Sequence, residues 1–118
     1  MTMSVREIFY KVEKHLLKQN ERSYDKGLAR GCRYRNDQGL TCAVGCLMTD
    51  DMYEASFEGE SVRDKYVTEA LIPIIGVNKE KKEDKLELLS KLQHIHDSTS
   101  VGNWDIKLRE LKLEFKII

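Results

Sequence analysis

The chain has one proline, three cysteines and no excess of charge of either sign, with twenty basic residues against twenty acidic ones in 118 positions. Each scarcity excludes something. A single proline and a 41% hydrophobic fraction argue against a disordered or linker-rich chain. Neutral net charge removes the usual electrostatic signature of a phosphate-binding domain, so nucleic acid is not an expected partner. No apolar run approaches the ~18 residues of a membrane span, and the amino terminus lacks a charged-then-apolar signal pattern. The expectation is a cytoplasmic protein with no membrane association. An odd cysteine count within fifteen residues does not fit a disulfide framework, so Cys32, Cys42 and Cys46 read as thiols. The length suits one domain, residues 1–118.

Against these absences stands a clear helical pattern. In "SVREIFYKVEKHLLKQN", Ser4 and Glu7 form a capping box, Met3 and Ile8 a hydrophobic staple, and Val5, Ile8, Phe9, Val12 and Leu16 one apolar face. A second helix is expected from Ser61, to end near Ile75 because Pro73 removes a backbone donor and Gly76 can supply a left-handed cap. A third is expected from about Glu80 to Asp97, with Leu88, Leu89, Leu92, Ile95 and His96 inward. A fourth follows Asn103, with Trp104, Leu108, Leu111, Phe115 and Ile118 on one stripe. Between the first two, the alternation in "CRYRNDQGLTC" suggests two short strands turning at Asn36–Gly39. The fold class is thus mainly α, in the α+β sense: about four helices packed around a short β-hairpin.

The least generic stretch is "GLTCAVGCLMTDDMY", residues 39–53. Three readings of its cysteines compete. Cys42, at the proposed start of a short helix, could be a nucleophile with His96 as base and Asp97 or Asn103 orienting the imidazole. Cys32, Cys42 and Cys46 could join a histidine of "QHIHD" around zinc, although the spacing departs from the usual knuckle and two histidines two apart on a helix point away from each other. Or the small residues simply pack. The packing reading is preferred, no metal or other cofactor is expected, and His96 is expected to anchor the following loop by hydrogen bonds.

Charge is unevenly spread. Arg22, Lys26, Arg30, Arg33 and Arg35 face only Asp25 over residues 22–35, whereas Asp50, Asp51, Glu54, Glu58 and Glu60 follow without a basic residue. With Tyr34 interleaved, Arg30, Arg33 and Arg35 could hold a nucleotide or other small anion. The preferred reading is that the two segments neutralise each other.

Cys42–Leu47 ("CAVGCL"), Asp51, Tyr53, Glu58-Gly59, Leu92-Gln93, His96-Asp97 and Trp104 together resemble a group of small uncharacterised cytosolic proteins encoded by bacteriophages and bacteria. That resemblance brings no catalytic residue or cofactor. It implies a compact accessory protein acting on a host or defence component by binding. A small cysteine-dependent enzyme using Cys42 and His96 is the alternative, and anion binding or sequestration through residues 22–35 a lesser one. Oligomeric state is not legible.

Overall fold

The structure is a computed structural model, described here for residues 2–24 and 32–118. Its core is a single apolar cluster to which every α-helix contributes, including Phe9, Leu71, Ile75, Leu89, Trp104 and Leu108. Among the described residues five α-helices appear in order: α1 (Val5–Gln19), α2 (Lys65–Ala70), α3 (Ile72–Ile75), α4 (Lys79–Ser98) and α5 (Trp104–Glu114). The long helices α1, α4 and α5 pack on one another. Among the described residues no helix is long and apolar enough to cross a membrane.

Local chemistry explains the helix boundaries. Both halves of the capping box form, with the Glu7 amide donating to Ser4 Oγ at 3.1 Å and the Ser4 amide to Glu7 Oε1 at 2.8 Å. The second helical region begins later than Ser61. Ser61 Oγ accepts only the Arg63 amide in a tight local turn, while Asp64 accepts the Tyr66 and Val67 amides and takes the N-cap role. Pro73 lies inside the short α3, whose first turn has no need of its missing N–H. Gly76, at φ +79°, ends it, and the buried Lys85 ammonium donates to the Ile75 carbonyl there at 3.2 Å.

The expected β-hairpin is absent. Among the described residues there is no strand, only isolated antiparallel bridges at Tyr24–Cys32 and Arg35–Thr41. The turn itself forms: the Asn36 amide donates to the Leu40 carbonyl, and Asn36 Oδ1 accepts from Gln38 and Leu40. The ladder does not propagate because side chains take the backbone groups a partner strand would need. The carboxylate of Glu58 accepts the Tyr34 amide at 2.8 Å and the Arg35 amide at 3.1 Å. Gln19 takes both the amide and the carbonyl of Thr41, and Gln93 Oε1 accepts the Val44 amide. The chain then enters a single 3₁₀ turn at Gly45–Leu47, not an α-helix. Over the described residues the corrected class is helical: five α-helices and a loop tethered by side chains.

Gly45 is where that loop meets its own returning segment. A Cβ at this position would overlap the Tyr34 carbonyl, so only glycine permits the approach. The small residues of "CAVGC" serve packing, with Cys42, Ala43 and Val44 fully buried.

Candidate functional site

The polar centre of the protein is built at the end of α4. His96 is fully buried on the apolar stripe, stacked on Trp104 with ring centroids 5.5 Å apart. The Ser23 amide lies 2.9 Å from Nε2. An amide N–H can only donate, so Nε2 is the acceptor and the neutral ring carries its proton on Nδ1. That Nδ1–H donates to Asp97 Oδ1 at 2.7 Å. Gln93 Nε2 donates to the same oxygen at 2.8 Å. Arg22 closes the end of the helix by donating to the His96 carbonyl at 2.9 Å and the Thr99 carbonyl at 2.6 Å, which suits a cation at a helix carboxy terminus. The Trp104 indole N–H also finds Thr99 O, at 3.1 Å.

On the far side of Asp97 lies Cys32, half-buried, its thiol hydrogen-bonded to the Asp97 carboxylate. Burial first, then the neighbouring Asp97 charge, pushes this thiol up to about 11, so it is a poor nucleophile at neutral pH. Cys32, His94 and Asp97 open onto one cleft of about 490 Å³, together with Arg33, Tyr34 and Gln93.

Cys42 is not among the residues that line this cleft. It is fully buried, its Sγ accepting the Gly45 amide at 3.2 Å, and burial pushes its thiol far above the ordinary range. Both ring nitrogens of His96 are bonded to Ser23 and Asp97, which leaves no nitrogen to take a proton from Cys42. His96 and Asp97 do meet, but in a hydrogen-bonded anchor for residues 22–24, not for the loop after α4 that the sequence suggested. The three cysteines are not gathered for zinc either. Cys46 Sγ donates to the Ala43 carbonyl, and burial holds its thiol up at about 12. Among the described residues, one set of potential ligand atoms lies within 4.8 Å, and it contains Cys32, His96 and Asp97.

The expected anion-binding residues are turned to other partners. Arg35 bonds Asp50 at 2.8 Å and the Met48 carbonyl, and stacks over Tyr53. Arg33 lies 3.6 Å from Glu58. Tyr34 is buried, its hydroxyl donating to the Glu60 carbonyl at 2.6 Å. Arg30 and Lys26 lie outside the described residues. Arg33 and Arg35 therefore pair with two acids of the following segment, Glu58 and Asp50. Sequence reasoning gave Glu58 and Gln93 a place in the resemblance pattern but no bonding role, and it missed Ser23. Of such a role only Gln93 left a trace, through its four-residue spacing to Asp97 on one helix face.

A second concavity, about 680 Å³, is lined by Glu54, Phe57, Glu60, Asp64, Tyr66 and Glu69, with no Lys or Arg among its lining residues. Tyr66 is 66% exposed, and the Lys65 ammonium sits 5.9 Å from its ring centre. No protein family, curated protein or solved structure matches the chain.

Proposed function

We propose that this chain is a small non-enzymatic accessory protein that acts by binding a partner, a host protein if the gene is carried by a phage. The observation that carries the reading is the acidic cleft of Glu54, Glu60, Asp64 and Glu69 around Phe57 and the exposed Tyr66. Four carboxylates, with no Lys or Arg among the lining residues, favour a positively charged segment. An aromatic floor and rim supply the desolvated anchor on which binding energy concentrates. The Lys65 ammonium over the Tyr66 ring is the intramolecular version of the same cation–π contact. The partner feature that fits is a basic segment, with a Lys or Arg to place over Tyr66.

The cysteine-enzyme alternative has less support, since Cys42 is sealed in the core and His96 is doubly bonded. The test is affinity capture from host lysate, followed by titration of the purified partner. Tyr66→Ala and Glu69→Lys both alter exposed side chains, so the fold should persist. Tyr66→Ala should weaken binding by about 30-fold, the loss expected of a hot-spot aromatic, and added salt should weaken wild type further. Binding unchanged in both variants would remove the cleft from the reading.

A further inference from the structure

The arrangement around Asp97 is suited to more than anchoring. The Cys32 thiol donates to the Asp97 carboxylate, so a soft and a hard ligand already touch. His96 cannot complete a metal set without loss: its Nε2 holds the Ser23 amide and its Nδ1–H holds Asp97. Binding a cation through Nδ1 would move the proton to Nε2 and set two donors against each other. His94 is different. It is exposed, lies three residues before Asp97 on α4, and lines the same cleft as Cys32 and Asp97; its ring stands outside the 4.8 Å set that holds His96, so it must turn about its side-chain bonds to join the other two. Residues three apart on a helix share a face, and helices present a carboxylate and an imidazole at this spacing to one metal.

We propose that Cys32, His94 and Asp97 form a binding site for a thiophilic divalent cation of the zinc class, with His96 and Gln93 orienting the carboxylate. Both orienting bonds fall on Oδ1, which leaves Oδ2 as the oxygen a cation takes. Carboxylate ligands held in this way by outer hydrogen bonds are the usual construction of metal sites. Thiolate, imidazole and carboxylate are all zinc ligands, and three of them leave a fourth position open to the cleft. Binding exchanges a proton for the metal: the S–H bond of Cys32 breaks, an S–metal bond forms, the proton goes to solvent, and no oxidation state changes. The bound cation ties Cys32 to α4.

The test uses the full chain, freed of metal with a chelator and titrated with Co²⁺. Wild type should take one cation per chain and develop the near-ultraviolet thiolate-to-cobalt charge-transfer band. Cys32→Ser should abolish the band, and Cys46→Ser should retain it. His94→Ala and Asp97→Asn should each weaken cobalt binding by at least about tenfold, no less than loss of an outer hydrogen bond does in known sites. His94 is exposed, so that variant tests the site without threatening the fold, and circular dichroism checks each protein. The proposal is overturned by no band in wild type, by a band that survives Cys32→Ser, or by wild-type affinity in either His94→Ala or Asp97→Asn.

Discussion

The Ser23 amide donates to Nε2 of the fully buried His96 at 2.9 Å, joining two residues 73 positions apart. Through this bond the segment after α1 is fastened to the end of α4, and the same imidazole holds Asp97 and stacks on Trp104. His96→Ala removes the acceptor of a buried N–H and leaves a void beside the indole. The expected cost is about 3 kcal/mol in chemical denaturation, combining an unsatisfied buried donor with lost aromatic packing. The Ser23 amide should also exchange with solvent faster in the variant. A cost below about 1 kcal/mol, the worth of one ordinary hydrogen bond, would deny His96 this central place.

Glu58 does the work of a missing strand. Its carboxylate accepts the Tyr34 and Arg35 amides and the Tyr53 hydroxyl, the last at 2.6 Å. Glu58→Ala should destabilise by about 2–4 kcal/mol, since bonds to a charged acceptor are worth more than neutral ones but do not add fully. Hydrogen exchange at Tyr34 and Arg35 should accelerate before global unfolding. Protection retained at both amides would mean that the loop holds itself.

Gly45 and Gly102 make a matched pair. A Cβ at Gly45 would overlap the Tyr34 carbonyl, whereas one at Gly102 would meet nothing within 4 Å. Gly45→Ala should cost about 2 kcal/mol or more, because backbone and not a flexible side chain must yield. Gly102→Ala should be neutral to within about 0.5 kcal/mol, the range of ordinary surface changes. Equal melting temperatures for the two variants would contradict the close approach.

Cys42 should behave as a core residue. Its thiol is fully buried and held protonated, so alkylation should proceed only through unfolding and at the rate of global opening. Cys42→Ala should lower stability without changing partner binding. Alkylation of native protein as fast as of a denatured control would revive the cysteine-enzyme reading.

The legibility of this chain follows the range of the interactions. Helices α1, α4 and α5 were readable because their signals are local. Ser4 and Glu7 are three residues apart, and the buried stripes Ile8–Val12–Leu16 and Leu88–Leu92–Ile95 repeat at the helical period. The end of α3 at Gly76 was readable for the same reason. The hairpin was misjudged because alternation in "CRYRNDQGLTC" reports a turn and two extended flanks, but not what their backbone groups will bond. That was decided by Glu58, Gln19 and Gln93, which lie up to 49 residues away in sequence from the amides they accept. Cys32 and Asp97 likewise carry no joint signal across 65 positions. By itself the sequence determined where α1, α4 and α5 run and which of their faces are apolar, since both depend on contacts within a few residues. Only the tertiary structure decided which thiol is sealed in the core and which one faces Asp97, because side chains on distant segments meet only after the core has formed.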